Sequence, residues 1–333
     1  MPGAGYELDL AELRGLQRRI SPQIFLFLWS VIKGSVDCVR ILRARQPDVV
    51  VGGGGYVSWA PVFTAFLRRI PTLTVELDSH MGLANRALVP FSRSVCLSFE
   101  IRKGNKYILT GRPMSRELLA ATPGEGWRRF GLRPVRSAED PPVLLVTGGS
   151  LGARSINEAC VEAFGSGPLP FQLVHVSGRR DYEAVKQQLQ ERGADPSNYH
   201  LLDYTVDLPL ATAAADLVVS RSGASILELM ALGKPALLVP YPYATADHQR
   251  TNAEWMAGLG AAEVIPDNRL NGALLKEKVM SLFADREKLA AMSAASARLG
   301  TCDGAERVAA EVFRIAGRAD EGKETGPSNV SLE

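Results

Sequence analysis

Three segments of the chain join a short β-branched run to glycine and small polar residues. DVVV at 48–51 leads into Gly52-Gly53-Gly54-Gly55-Tyr56-Val57-Ser58, VLLV at 143–146 into Thr147-Gly148-Gly149-Ser150-Leu151-Gly152-Ala153, and DLVVS at 216–220 into Arg221-Ser222-Gly223-Ala224-Ser225. Glycine permits positive φ and close backbone approach, and a helix that follows such a turn offers unpaired N–H groups and the positive end of its dipole to an anion. Two such ends facing one pyrophosphate stabilise it together. None of the three carries the Lys-Ser/Thr of a P-loop or the full G-x-G-x-x-G spacing, so each alone reads equally well as a tight connection.

The third turn stands out because Glu228 follows it by about one helical turn. A carboxylate there accepts hydrogen bonds from two ribose hydroxyls while the helix start holds phosphates; the alternative is a first-turn glutamate favoured by the dipole. Further on, Pro240 and Pro242 stiffen a loop, and Asp247, His248, Gln249 and Asn252 open the next helix. Gln249 has the donor and acceptor that sugar hydroxyls require. The plainer alternative makes Asp247 an N-cap and Gln249 a surface residue.

These turns need parallel sheets behind them. Short apolar runs alternate with amphipathic helices, with strands expected at 48–51, 72–76, 94–98 and 107–110, then at 143–146, 172–176, 200–203, 217–220, 236–240 and 262–265. The expected architecture is α/β: two Rossmann-like domains with parallel sheets facing a cleft, over 1–120 and 142–317, with a linker at 121–141 and a disordered polar tail at 318–333. No strand–glycine-loop–helix unit precedes Asp48, although one βαβ unit takes about 30 residues, so the first domain is expected to be N-terminally truncated.

Composition narrows the function classes. The 333 residues are 46% hydrophobic and 22% charged with a formal net charge of +2, which gives no global signal for nucleic acid. Cys38, Cys96, Cys160 and Cys302 are scattered and the four histidines show no ligand spacing, so no metal site is expected and the thiols read as buried and inert. Residues 24–32 (IFLFLWSVI) form an apolar run flanked by Arg18, Arg19 and Lys33, under half of the roughly 20 residues that cross a membrane. A core helix and a helix lying in a membrane interface are both open.

GGGGYVSWAP (52–61), VELDSHMGLANRALVPF (75–91), TGRP (110–113), VTGGSLGARSIN (146–157), SRSGASILELMALGKPALLVPYPYATADHQRTNA (220–253) and GAAEVI (260–265) occur in the order found in one family. From about residue 5 to 316 the chain resembles the N-acetylglucosaminyltransferases of the MurG family. The resemblance implies the GT-B fold and an inverting transfer of N-acetylglucosamine from UDP-N-acetylglucosamine to undecaprenyl-pyrophosphoryl-MurNAc-pentapeptide, turning lipid I into lipid II for peptidoglycan. It also implies no essential metal or other cofactor, and a peripheral position on the cytoplasmic face of the cell membrane.

Carried over by position, the resemblance places Ser150 near the diphosphate, Ser222, Gly223, Ala224 and Ser225 in the phosphate-facing loop, Glu228 on the ribose, Gln249 on the sugar and Thr205 at the uracil. Gly54, Gly55, Tyr56, Ser58 and Asn85 fall on the acceptor side, Glu76, Asp78 and His80 are the candidate bases, and Arg221 is a further candidate donor to the diphosphate. The chain departs from the family's HEQN at Val75-Glu76-Leu77-Asp78, from GNPVR at Gly111-Arg112-Pro113-Met114-Ser115, and from its second glutamine at Arg250. Its turn from Gly223 to Glu228 is one residue shorter than in many members, and the opening GGTGGH unit with its histidine lies outside the matched stretch. A transferase for another lipid acceptor, and a non-catalytic UDP-sugar binder, are the competing readings.

Overall fold

The computed structural model describes residues 5–11, 23–137, 139–149, 152–244 and 247–317, with backbone alone for 23–32. The chain divides into two compact units, one of 1–77, 81–113 and 303–333, the other of 78–80 and 114–302. The first opens with helix α1 (Gln23–Arg45), which packs on α2 (Trp59–Leu67). Whether the 24–32 side chains enter a core or an interface lies outside the described residues, as does the tail beyond Gly317.

Strands β1 (Val50–Gly52), β2 (Thr72–Glu76), β3 (Ser94–Leu97) and β4 (Tyr107–Leu109) form a parallel sheet in chain order, with α3 (Leu83–Leu88) between β2 and β3. β2 reads TLTVE and every residue is buried, the pattern of a parallel strand covered on both faces.

In the second unit, α4 (Arg116–Ala120) and α5 (Pro123–Phe130) precede the larger sheet. The region expected as a linker therefore contains a helix. Thr122 and Glu125 close a capping box, Pro123 stands at the first turn and Gly131 ends the helix in the left-handed conformation. The glycine that suggests a linker has a packing reason: a Cβ on Gly126 would come within 2.2 Å of the Leu210 carbonyl oxygen.

The second sheet is built from β5 (Val143–Thr147), α6 (Arg154–Phe164), β6 (Gln172–Val176), α7 (Tyr182–Arg192), β7 (Tyr199–Leu202), α8 (Leu208–Ala214), β8 (Leu217–Ser220), α9 (Ile226–Ala231), β9 (Ala236–Leu238), α10 (His248–Gly258) and β10 (Ala262–Val264). Its order, β10-β9-β8-β5-β6-β7, is parallel throughout. β5 and β8 are neighbours, with Thr147 opposite Ser220, and the order reverses between them. That is the switch point at whose carboxyl edge α/β sheets bind ligands. Helices α11 (Gly272–Ala284) and α12 (Arg286–Leu299) complete this unit.

The last helix, α13 (Gly304–Ala316), groups with the first unit rather than with the second, where the sequence boundary puts it. Its Val308, Val312 and Ile315 pack against Leu73, Val75 and Cys96, covering the face of β2 and β3. Arg314 ties it to Ser94 Oγ at 3.1 Å.

Cys38, Cys96 and Cys160 are buried, and burial pushes the thiols of Cys96 and Cys160 up to about 12. Cys302 is exposed, contrary to the expectation of four buried thiols.

A polar chain crosses the second core. His175 Nδ1 lies 2.8 Å from Tyr199 Oη, and Nε2 lies 3.0 Å from Asn157 Oδ1. Asn157 Nδ2 donates to Ser177 O at 2.9 Å and to Asp181 Oδ2 at 3.2 Å, so its Oδ1 must accept from His175 Nε2–H. Nδ1 then accepts from Tyr199. Burial drives His175 down to about 3, so the ring is neutral. The unfolded chain takes up a proton near pH 6.5 that the folded one refuses, so stability is full above about pH 6.5 and falls towards pH 3, by about 5 kcal/mol from this group. Urea unfolding across that range should show it. His175→Leu should be less stable at pH 7, because Asn157 Oδ1 and Tyr199 Oη lose their His175 partner, and should lose stability less steeply on acidification.

Candidate functional site

The turn after β5 needs its glycines. A Cβ on Gly148 would meet Ala153 N at 2.1 Å, and Gly149 and Gly152 have φ of 81° and 75°. A Cβ on Gly152 would also lie 2.2 Å from Ser177 O. The turn thus folds back on itself and lies flat against the loop after β6. α6 follows, and no described side chain caps its first turn. Ser150 itself lies outside the described residues.

The turn after β8 is stitched to α10. The buried Ser222 donates from Oγ to Gln249 O at 2.7 Å, and its own carbonyl accepts from Asn252 Nδ2 at 3.0 Å. The N–H groups of Ile226 and Leu227 bond back to Gly223 and Ala224, leaving Gly223, Ala224 and Ser225 as the open end of α9. Glu228 sits half-buried in the first turn of α9.

Gln249 reaches over this turn. Its Oε1 accepts from Tyr241 N at 3.0 Å, which turns Nε2 towards Gly223, 4.0 Å from where a Cβ would stand. The glutamine is therefore oriented by the loop rather than being a loose surface residue. Asp247 adopts φ 54° and offers no side-chain cap; it pairs with Arg250 instead. Thr205 follows β7 and accepts from Asp207 N at 3.0 Å through Oγ1, which shapes a local turn. Beside it, the exposed Tyr204 ring carries Arg179, with Cζ 4.6 Å from the ring centroid.

Arg221 has a different place from the one expected of it. Its Nη1 donates to Val239 O at 3.1 Å, Pro240 O at 3.3 Å and Asp267 Oδ1 at 2.6 Å, and Nη2 donates to Ser155 Oγ at 3.0 Å. Ser155 Oγ in turn donates to Asp267 at 2.7 Å. Its guanidinium joins the β8 turn, the end of β9, the start of α6 and Asp267. It ties the turn after β8 to the start of α6, and its Nη1 and Nη2 are taken up by protein acceptors.

In the first unit, Gly54 and Gly55 have φ of 92° and 72°, and Ser58 Oγ donates to Gly54 O at 2.6 Å. Tyr56 is half exposed beside them. Asn85 is buried; its Nδ2 donates to Glu76 Oε2 at 2.9 Å and to Val75 O at 3.2 Å, and lies 3.7 Å from a Cβ placed on Gly54. Glu76 Oε2 also accepts from Gly82 N at 2.9 Å. Gly54, Glu76 and Asn85 thus form one cluster at the carboxyl ends of β1 and β2. The buried Glu76 thus braces the 76–82 loop through Gly82 N and Asn85 Nδ2. Asp78 and His80 group with the second unit, where Ser79 N donates to Asn252 Oδ1 at 3.3 Å. Among the described residues, no cluster of three or more His, Cys, Asp or Glu is placed to hold a metal ion.

Two parallel-sheet units with glycine turns at strand ends belong to several nucleotide-binding classes, and comparison with known proteins gives the class. Residues 2–97 match the glycosyltransferase family 28 N-terminal domain and residues 143–308 its C-terminal domain. A UDP-N-acetylglucosamine–N-acetylmuramyl-(pentapeptide) pyrophosphoryl-undecaprenol N-acetylglucosamine transferase of Halothermothrix orenii is 36% identical over 313 residues, 90% of this chain and 83% of that protein. Its counterpart in Moorella thermoacetica is 40% identical over 314 residues, again 90% of this chain and 82% of the other. The crystal structure of Acinetobacter baumannii MurG superposes with a TM-score of 0.70 at 25% identity, covering 93% of this chain and 84% of that one. The chain belongs to this MurG family of GT-B glycosyltransferases.

Arg221→Met should uncouple the two turns. Removing one partner of the largely buried pair with Asp267 should cost about 3–5 kcal/mol in equilibrium unfolding. Asp267→Asn, which keeps an acceptor oxygen, should cost less.

Proposed function

We propose that the chain transfers N-acetylglucosamine from UDP-N-acetylglucosamine to the MurNAc 4-hydroxyl of undecaprenyl-pyrophosphoryl-MurNAc-pentapeptide, at the cytoplasmic face of the membrane. The observation that carries the reading is the pairing of β5 and β8, which sets two glycine turns and two helix starts side by side. A leaving UDP concentrates charge on its diphosphate, and donors fixed before the reaction stabilise that charge without reorganising. The turn at Gly148–Ala153 and the open end of α9 supply them, with Ser150 as a further donor. In this reading Glu228 takes the ribose hydroxyls, Gln249 Nε2 the sugar and the backbone at Thr205 the uracil. Glu76, Asp78 and His80 are the candidate bases for the acceptor hydroxyl, and Gly54, Gly55, Tyr56, Ser58 and Asn85 the acceptor-side surface. The relatives' names, which specify this donor and acceptor, support the same assignment.

Membrane contact fits the surface of the first unit. Phe66 and Leu67 are 43% and 65% exposed at the end of α2, directly before Arg68 and Arg69. Apolar side chains beside arginines suit an interface with anionic headgroups. Among the described residues, no helix is long and apolar enough to cross a membrane.

Calorimetry with UDP-N-acetylglucosamine tests the donor site: binding is expected, and Glu228→Ala should weaken it by about 10-fold or more. Absence of binding by the unaltered chain contradicts the reading. Turnover of a lipid I analogue separates a transferase from a binder. In co-sedimentation with anionic vesicles, Leu67→Glu should reduce the bound fraction without affecting UDP affinity.

A further inference from the structure

The loop after β6 carries a charge that the donor-site reading leaves unassigned. Ser177 O and Gly178 Cα lie 2.2 and 3.2 Å from where a Cβ on Gly152 would stand, so this loop touches the turn after β5. Arg180, two residues on, donates from Nε to Asp181 Oδ1 and from Nη2 to Asp181 Oδ2, each at 2.9 Å. The pair is lopsided: the side chain of Asp181 is 10% exposed and that of Arg180 63%. Behind Asp181 stands the polar chain, because Asn157 donates to both Asp181 and Ser177 O while His175 fixes Asn157.

Asp181 is in electrostatic range of Arg154, the first residue of α6, and Arg180 is in range of Tyr241, beyond the end of β9. Arg180 thus follows, by two residues, the Gly178 backbone that lies against Gly152 in the turn after β5. An arginine fork that spends one edge on a carboxylate keeps its other edge for a phosphate. Among the described residues, Arg180 Nη1 makes no hydrogen bond.

We propose that Arg180 neutralises the diphosphate of the donor and of the leaving UDP, held in place through Asp181 by the buried Asn157–His175 pair. This rests on the donor-site reading above. The buried part of the chain then has a purpose beyond packing. It fixes the loop backbone against Gly152 and aims the one guanidinium at that loop's tip that is anchored along a single edge.

The test is calorimetric titration of the full chain with uridine, UMP and UDP, at low salt and at about 0.5 M salt. Arg180→Gln should lower UDP affinity by about tenfold and leave uridine affinity within about twofold. High salt should shrink the difference between the unaltered chain and the variant. Arg180→Lys, which keeps the charge and loses the fork, should fall between them. Asp181→Asn should weaken UDP binding in the unaltered background but add nothing in the Arg180→Gln background. Unchanged UDP affinity in Arg180→Gln, or an equal loss for uridine, overturns the proposal, and additive losses overturn the positioning role of Asp181. An unaltered chain that binds uridine and UDP equally tightly also overturns it, whereas one that binds neither overturns the donor site itself.

Discussion

The second unit depends on a single guanidinium. Arg221 leaves the end of β8 and is held by the carbonyls of Val239 and Pro240, by Asp267 and by Ser155. These partners come from three separate stretches of chain: the end of β9, the start of α6 and the segment after β10. A planar, permanently charged fork can satisfy several acceptors at once, which a lysine cannot. Burying it is costly unless every partner is present. The switch point brings β5 and β8 together, and Arg221 fixes how the turns that leave them sit.

Given that frame, the glycines of the first turn are steric requirements. Positions 148 and 152 have backbone atoms where a side chain would go, and 149 and 152 adopt positive φ. The β8 turn works differently. Among the described residues, a Cβ on Gly223 would meet only Gln249 Nε2, at 4.0 Å, and Gly223 is not among the positive-φ glycines. One turn is tight because it folds against its neighbours, and the other is open.

Much of this was legible in the sequence. Strands 72–76, 172–176 and 217–220 occur at the expected residues, because continuous β-branched runs bounded by turns have few alternatives in a parallel sheet. Other strands shift by one or two residues at their ends, where pairing with the neighbour sets the limit. The helix at Pro123–Phe130 was hidden by its own glycines, one of which exists to let Leu210 approach. The placement of α13 on the first sheet was hidden because a helix's apolar face does not say which sheet it covers. Neither the Arg221 clamp nor the His175–Asn157 chain has a local signature. Their members are up to 112 residues apart, and only the sheet order brings them together. Glu76 shows the limit from the other side: its type suggests proton transfer, but the sequence does not show that it also bonds Gly82 N and Asn85 Nδ2 and so braces its loop.

The central claim, that the β5 and β8 turns together hold the donor's diphosphate, is tested most directly by a crystal structure of this chain with UDP bound. The account predicts the diphosphate between the 148–153 turn and the open end of α9, with the ribose on Glu228 and Arg221 still bonded to Asp267. A diphosphate bound away from both turns, or an Arg221 that leaves Asp267 and Ser155 to meet it, would contradict the account.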